Sequence, residues 1–269
     1  MNESIVNRIK SLPPLPKTLI KMQKICDKPD GTVSELAEVV SEDPMIVANL
    51  LKSANSPLYG FGKDIQSVAQ AVSLFGMSMT HSIALSGAVR KLLNVDMAPY
   101  GISPDEFANI SSMQASLMRN WYAKVNPAKK DILVLAALMQ ETGKIVLADE
   151  IIQNNETEPF KADIEMTHNI AQVEHSFMNE TTATVTAAIF KHWGFDPVLV
   201  ESINYSDTPN KATDEIRENA IALNIVKTAI PVNRPLNEVA VMSALKKAQS
   251  AGLDHELLED EIDALIARV

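Results

Sequence analysis

The clearest pattern of apolar and polar positions in the chain lies at Leu133–Leu147, where an almost fully apolar stretch meets a polar break. Apolar residues from Leu133 to Met139 would cover nearly the whole circumference of a helix, which predicts that this helix is buried. The polar residues Gln140–Gly143 follow, and a second helix should open near Lys144. Because polar side chains at the end of a core helix need hydrogen-bonding partners, we expect other parts of the chain to meet them there.

Start and stop signals for helices recur along the rest of the chain, whereas alternating strand patterns do not occur. Capping residues, some followed by proline, indicate helix starts at Thr32–Glu35, Asp43–Pro44, Ser103–Glu106 and Asp196–Pro197. Gly76 is typical of a left-handed helix end. Together with the apolar periodicity, these signals predict an all-α protein with further helices over about 17–26, 33–41, 44–54, 65–75, 77–95, 104–125, 160–166, 170–177, 181–193, 214–228, 236–251 and 255–268.

Composition and charge exclude several classes of partner. The formal net charge is −10, and short lysine pairs do not form the basic surface that nucleic acid or anionic lipid requires. The one cysteine, Cys26, cannot form an internal disulfide, which favours a reducing compartment. The first residues lack the apolar core of a signal peptide, and no apolar run is long enough to cross a bilayer. We therefore expect a cytoplasmic protein with neither a nucleic-acid nor a membrane partner.

Candidate catalytic residues are few in this sequence. It has neither the Gly-x-Ser-x-Gly nucleophile motif nor a glycine-rich phosphate or dinucleotide loop. His81 and His192 lie on apolar helices, where a hydrogen-bonded structural role is favoured over metal ligation. His168 and His175 are seven residues apart, a spacing that suits shared ligation less well than three or four. The stretch Asn55–Pro57 is explained equally well as turn chemistry and as a recognition loop.

Several local motifs together resemble one bacterial family. They are Leu12–Pro16 (LPPLP), Val39–Pro44 (VVSEDP), Leu50–Pro57 (LLKSANSP), Ile65–Gly76 (IQSVAQAVSLFG), Ala136–Lys144 (AALMQETGK) and Lys191–Pro197 (KHWGFDP). In position and spacing they are similar to the HD-related output domain (HDOD) family, over roughly residues 12 to 208. The resemblance implies an HDOD-like domain over 1–208, in which an N-terminal helical lobe (about 1–126) packs on an HD-like lobe (about 127–208). Residues 209–269 should form a C-terminal helical extension packed on that domain.

The resemblance also implies a fold shared with the HD phosphohydrolases, which bind metal through a histidine, an adjacent His-Asp pair and a later aspartate. In this chain the corresponding positions hold Thr182, the pair Gln140-Glu141 and, for the last, Asp207. Glutamine and threonine are poor replacements for imidazole at a transition metal. The resemblance thus predicts a degenerate metal site, no catalytic residue and no cofactor. The remaining residues of the family motifs are candidates for a binding role. They are Asp43, Pro44, Asn55, Ser56, Pro57, Gly76, Lys144 and Trp193.

The leading function hypothesis is a non-enzymatic, cytoplasmic output module of bacterial signal transduction that acts by binding an unidentified protein partner. The alternative is a metal-dependent HD-type phosphohydrolase with an atypical site built from Glu141, Asp207, His175 and His168. A sensor that binds a nucleotide in the residual cleft is a third hypothesis. Metal content of the purified protein distinguishes the first two.

A specific expectation concerns the residues at the degenerate metal positions. Gln140, Glu141 and Thr182 should lie close together, linked by hydrogen bonds directly or through water. Thr182 falls in the first turn of its helix, where free backbone N–H groups and the helix dipole favour a nearby carboxylate. Lys144 could add a positive charge. Such a polar cluster would hold two lobes in register instead of holding a metal.

Overall fold

The computed structural model describes residues 2–62, 64–93, 96–167 and 169–269, and within these ranges all regular secondary structure is helical. The predicted all-α fold is confirmed. The α-helices in chain order are α1 Glu3–Lys10, α2 Lys17–Cys26, α3 Val33–Ser41, α4 Pro44–Ala54, α5 Val68–Leu93, α6 Pro104–Val125, α7 Lys130–Met139, α8 Gly143–Gln153, α9 Thr157–Met166, α10 Ile170–Met178, α11 Thr182–His192, α12 Pro197–Asn204, α13 Asp214–Ala229, α14 Glu238–Ser250 and α15 His255–Ile266. Short 3₁₀ helices lie at Pro57–Tyr59, Ala98–Tyr100, Pro127–Lys129 and Pro209–Lys211.

The capping signals in the sequence begin the helices that they predict. Thr32 and Ser103 form capping boxes with Glu35 and Glu106 at the starts of α3 and α6. The Asp43 carboxylate accepts hydrogen bonds from the first backbone N–H groups of α4, at 2.9 and 3.3 Å. These caps satisfy donors that a helix cannot satisfy internally, so the local sequence alone determines where these helices begin.

The segment around Gly76 differs in detail from the prediction. α5 begins at Val68 instead of near Ile65, because the backbone N–H and C=O of Ile65 are both bound by the side-chain amide of Asn55, at 2.8 and 2.9 Å. Gly76 separates two helical stretches of α5, as the sequence predicts, but with φ 76° and ψ 171° it is a break at positive φ with an extended ψ and not a left-handed cap. The predicted end near Val95 lies outside the described residues.

α5 also corrects the expectation that no apolar run could cross a bilayer. Its composition and its length of 26 residues suffice for a membrane span, with a mean hydropathy of 1.3 in its most apolar window. However, 67% of that window is buried inside the protein. The core helix of a globular protein meets the same criteria of length and composition.

The chain divides into two compact units, described here separately. The smaller unit comprises Pro13–Leu92 with Arg268–Val269. Its core contains fully buried apolar side chains from α2 to α5, including Leu19, Met22, Leu36, Val40 and Val72. His81 is buried in it and hydrogen bonds with the backbone of Leu19, which matches the structural role expected for this histidine.

The larger unit comprises Met1–Leu12 with Leu93–Ala267. α6 packs along α7, and α11 packs on both α8 and α12. α13 packs on α6, α7 and α12, while α15 packs on α6. The C-terminal helices therefore belong to the same compact unit as α7 and α8. This division falls at Leu92 and Leu93, not near residue 126 as the sequence suggests, because α6 packs along α7.

Candidate functional site

The polar break between α7 and α8 lies in the interior of the larger unit. Gln140 and Glu141 are 0% and 1% exposed, and Lys144 in the first turn of α8 is 1% exposed. Thr182, at the start of α11, is fully buried beside them. Burial of two ionisable side chains is costly unless they are paired, so the contacts of these groups determine what the site can do.

Lys144 is the centre of this cluster. Its ammonium nitrogen lies 2.6 Å from Oε1 of Glu174, 2.9 Å from Oγ1 of Thr182 and 3.2 Å from Oε2 of Glu141. It also lies 5.0 Å from the centre of the Tyr100 ring, a distance typical of a cation–π contact. The ammonium thus donates hydrogen bonds to Glu174 and Thr182 and forms an ion pair with Glu141, and the aromatic ring covers another side.

Glu174 is the main acceptor of the cluster and is fully buried on α10. Its carboxylate accepts hydrogen bonds from the Thr182 backbone N–H at 2.6 Å, from the Thr182 hydroxyl at 2.6 Å and from the Tyr100 hydroxyl at 3.0 Å. The carboxylate expected near the first turn of α11 is therefore Glu174 and not Glu141. Burial, and then the charge of Glu174, raise the pKa of Tyr100 well above its ordinary value, which keeps this hydroxyl protonated and able to donate to Glu174.

Gln114, from α6, joins the two residues of the polar break. Its side-chain carbonyl accepts a hydrogen bond from Gln140 at 2.9 Å, and its amide donates to Glu141 at 3.1 Å and to the Ile230 carbonyl at 2.9 Å. Gln140, Glu141 and Thr182 therefore belong to one network, but other side chains link them in place of the direct or water-mediated bonds that the sequence predicts. The links run through Gln114 and Lys144, and no water is needed to connect them.

A close approach of two helices places Lys144 beside Thr182. Gly143 begins α8, and a Cβ atom at this position would lie 2.5 Å from the Thr182 carbonyl oxygen and 2.8 Å from the Thr186 backbone nitrogen. The Gly143 N–H donates to the Thr186 hydroxyl at 2.8 Å. Only glycine allows this crossing, because any side chain would push α8 away from α11.

Asp207, the predicted last metal position, is paired with a lysine. Its Oδ1 lies 2.7 Å from Nζ of Lys227, and their side chains are 13% and 14% exposed. Burial acts to raise the pKa values of Asp207 and Glu141, but the nearby lysine charges outweigh it and lower both. Burial acts in the opposite direction on Lys227, and the carboxylates outweigh it and raise the Lys227 pKa.

The donor set does not fit a transition metal. Lys144 is paired with both Glu141 and Glu174, and Lys227 is paired with Asp207, so each of these three carboxylates already contacts an ammonium group of the chain. His175, proposed as a ligand in the alternative hypothesis, is exposed on α10, whereas Glu141 is buried; His168 lies outside the described residues. Among the described residues, no group of three or more His, Cys, Asp or Glu side chains is placed to hold a metal ion.

The N-terminal motif residues mainly stabilise local backbone. The Asn55 amide donates to Ile65 and Leu51 carbonyls and accepts from the Ile65 N–H, and Ser56 accepts from the Leu58 N–H at 3.4 Å. Pro44 and Pro57 occupy the first positions of their helices. Turn chemistry thus accounts for the hydrogen bonds of this stretch, although Asn55 remains exposed.

Trp193 follows the last residue of α11 and is half-buried. Its ring centre lies 6.4 Å from that of Phe190, which in turn stacks on Phe195 at 4.8 Å. The aromatic group closes the end of α11 within the larger unit. Trp193 therefore contributes to the packing at the end of α11.

Sequence reasoning did not identify Gln114, Glu174, Tyr100 or Lys227 as members of the site. A signal for Glu174 is present, since it lies four residues after Ile170 and four before Met178 on the apolar face of α10. A carboxylate on an apolar helix face requires a buried partner. The sequence does not indicate which residue that partner is, because Lys144 lies 30 positions away.

Comparison with known proteins yields both structural and sequence relatives. A crystal structure of a virulence factor from Campylobacter jejuni subsp. jejuni is 27% identical, with a TM-score of 0.58, over 96% of this chain and 93% of that chain. A Marinobacter aquaeolei VT8 protein, named as a candidate signal transduction protein, has a TM-score of 0.72 at 22% identity. That similarity covers 96% of this chain but 58% of the other.

One curated relative matches only a segment of the sequence. An uncharacterized protein of Treponema pallidum (strain Nichols) is 33% identical over 94 residues, which are 35% of this chain and 18% of that protein. The sequence model of the HDOD domain matches residues 12–209, close to the limits of the motifs recognised above. The chain belongs to the HDOD domain family.

Proposed function

We propose that this protein is a non-catalytic module of bacterial signal transduction that acts by binding a protein partner. The observation that supports the proposal is the position of the Lys144 ammonium between Glu174 and Glu141. A permanent cation of the chain occupies the centre of the carboxylates that a hydrolytic metal would require. The Marinobacter aquaeolei relative is named for signal transduction, which agrees with this assignment.

The chemistry of the cluster argues for a structural role of these residues. A metal that generates hydroxide near neutral pH needs several neutral or anionic ligands and an open coordination position. Here Thr182 and Gln140 stand at ligand positions, and the hydroxyl of Thr182 and both carboxylates already bind Lys144. The network instead ties α8, α10 and α11 together, which would keep a surface formed by these helices in one shape for a partner.

We place this activity in the bacterial cytoplasm. The single cysteine, Cys26, and the net charge of −10 fit a reducing compartment and a soluble partner more readily than nucleic acid or an anionic membrane. Affinity of an acidic protein for a partner should depend on ionic strength wherever the partner surface is basic.

Metal content and hydrolysis by the full chain test the non-catalytic assignment. Purified protein should carry no stoichiometric iron, manganese or zinc, before or after incubation with each metal, and should not hydrolyse phosphodiesters above background. Glu141→Ala and the exposed-carboxylate control Glu158→Ala should then be equally inactive. Recovery of one tightly bound metal per chain, with hydrolysis lost in Glu141→Ala and kept in Glu158→Ala, would establish the phosphohydrolase alternative.

Capture from the native host tests the partner. The tagged chain should retain the same protein in reciprocal captures, and retention should persist in the presence of a metal chelator, because no metal contributes to the interaction. A chain that retains no protein reproducibly, or that releases its partner when metal is chelated, would contradict the proposal.

A further inference from the structure

A cavity beside the Lys144 cluster is lined by an excess of positive charge. Its volume is about 450 Å³, within the range of small-molecule sites. Four cationic side chains face it, those of Lys144, Lys227, Arg234 and Lys247, whereas Glu141 and Asp207 are the lining carboxylates. In a chain with a net charge of −10, such a concentration of cations is a local exception.

The inner and outer parts of the cavity differ in their charge balance. At the inner wall, Lys144 contacts Glu174 at 2.6 Å and Glu141 at 3.2 Å, and Lys227 contacts Asp207 at 2.7 Å. These pairs are largely buried, with every side chain at most 14% exposed. The three carboxylates outnumber the two lysines there, so the inner wall offers no unpaired cation to an anion, but its carboxylate oxygens can still accept hydrogen bonds.

At the rim, two cations lack such a partner. The ammonium of Lys247 is bound by neutral oxygens, Oδ1 of Asn224 at 2.7 Å and Oγ1 of Thr228 at 2.8 Å. The guanidinium of Arg234 donates to the Glu165 carbonyl at 2.7 Å. Within the described ranges, the contacts of these two cations are with neutral oxygens, so both keep N–H donors for a bound group.

The environment of Lys247 disfavours its positive charge, so a bound anion would stabilise it. Partial desolvation lowers its pKa; the charge of Asp207 opposes this effect, and the charge of Lys227 adds to it. A bound anion between these lysines would relieve their repulsion and raise the pKa of Lys247. Charge-assisted hydrogen bonds from lysine and arginine to phosphate are about twice as strong as neutral ones, so a phosphate group suits this pair of cations.

We propose that this cavity binds a phosphate-bearing small organic molecule, with Lys247 and Arg234 contacting the phosphate at the rim. The remainder of the ligand extends to the inner wall, where Glu141 and Asp207 accept its N–H or O–H groups. A cavity of about 450 Å³ has more room than inorganic phosphate occupies. Both rim cations lie beyond residue 209, outside the segment that the HDOD family model matches. This small-molecule site would therefore be a function additional to the proposed partner binding.

Calorimetric titration of the full chain with adenosine diphosphate and with inorganic pyrophosphate, at constant ionic strength, tests the site. Lys247→Gln and Arg234→Gln should each weaken binding of adenosine diphosphate about tenfold, a loss of about 1.4 kcal/mol. Lys246→Gln is the matched control, because the neighbouring lysine lies on the same helix, is exposed and does not line the cavity. Its affinity should stay within about twofold of the wild type. Thermal unfolding should show that all three variants are folded.

A second measurement locates the ligand directly. In the presence of adenosine diphosphate, the Lys247 ammonium should titrate at a higher pH than in the free protein, as followed by NMR of labelled lysine side chains. Absence of binding, or equal weakening in Lys246→Gln and Lys247→Gln, would overturn the site. Equal affinity for pyrophosphate and adenosine diphosphate would overturn the assignment of an organic ligand. Binding of magnesium or manganese in place of either anion would contradict the charge argument.

Discussion

The two compact units use their polar side chains in different ways. In the Pro13–Leu92 unit, Thr32, Asp43 and Asn55 bind backbone groups two to ten residues away in the chain. In the larger unit, Lys144 binds Glu174 and Thr182 across 30 and 38 residues. The first arrangement determines where helices begin and end, and the second determines which helices are held together.

The energetic consequences differ as well. An exposed cap contributes about 1 kcal/mol and acts independently of its neighbours. The groups around Lys144 are almost fully buried, so loss of one member leaves charged or polar partners unsatisfied in the interior. Substitutions in the buried network should therefore be several times more damaging than substitutions of the caps.

The largest effect is expected at Lys144. Lys144→Met keeps the length and apolar character of the side chain but leaves Glu174 and Glu141 buried without a cation. The free energy of unfolding should fall by about 3–5 kcal/mol, the usual cost of breaking a buried ion pair. Urea denaturation measures this change.

Two further variants make the Lys144 experiment specific. Lys191→Met, at an exposed position on α11, should change the free energy of unfolding by less than about 0.5 kcal/mol. The double variant Lys144→Met/Glu174→Gln should regain part of the loss, because it removes one uncompensated charge. If Lys144→Met lowers the free energy of unfolding no more than Lys191→Met does, the energetic difference between the buried network and the exposed caps is wrong.

A smaller loss is expected at Glu141. Glu141→Leu removes the acceptor of the Gln114 amide and one partner of Lys144, which should cost roughly 1–3 kcal/mol. Glu141→Gln keeps an acceptor oxygen and should be less destabilising. Chemical denaturation of the two variants side by side provides the measurement, and an equal or greater stability of Glu141→Leu would contradict the network.

The caps of the smaller unit should give still smaller effects. Asp43→Ala and Asn55→Ala should each lower the free energy of unfolding by about 1 kcal/mol, because each removes hydrogen bonds to local backbone. Partner binding should remain once stability is restored. If either variant abolished partner binding with no change in melting temperature, the Asn55–Pro57 stretch would be a recognition site.

The two units should also respond to acid in different pH ranges, which is the smallest effect expected. Burial lowers the pKa of His81 below 6.5, so the unfolded chain takes up a proton first and stability falls as the pH drops below 6.5. The pKa values of Glu141 and Asp207 are lowered from 4.5 and 3.8, so their contribution is present above pH 4.5 and is lost as the pH falls further.

Variants separate the two pH ranges. His81→Gln should flatten the dependence of unfolding free energy between about pH 5 and 7, where a neutral histidine would otherwise gain a proton on unfolding. Glu141→Gln should flatten it only below about pH 4.5, the ordinary range of carboxyl groups. If both variants changed the pH dependence of the unfolding free energy in the same pH range, the predicted difference between the two units would be wrong.

The comparison also explains how much of the fold was predictable. Thr32, Asp43 and Ser103 identify helix starts correctly, because a cap and the N–H groups that it binds lie within a few residues. The predicted start of α5 is wrong because a side chain that binds backbone groups also determines it, but from a greater distance along the chain. Asn55 binds the backbone of Ile65, ten positions away, and no local sequence pattern predicts this contact.

The site was predictable only where the family resemblance aligned distant segments. It aligned Thr182 with Gln140 and Glu141, and in the structure all three are buried and belong to the network around Gln114 and Lys144. It did not supply Glu174 or Lys227, since no motif marks them and their partners Lys144 and Asp207 lie 30 and 20 positions away. A buried charge can be recognised from its position on an apolar helix face, but its partner depends on the tertiary fold.

Gly143 has a consequence for the motions of the larger unit. The tight crossing of α8 and α11, with the Gly143 N–H bound to Thr186, leaves no room for one helix to slide past the other. The amide protons of Gly143 and Thr182 should thus exchange with solvent only when the whole unit opens, at rates set by global unfolding. Any rearrangement that transmits a signal must then move α8 and α11 as a single body.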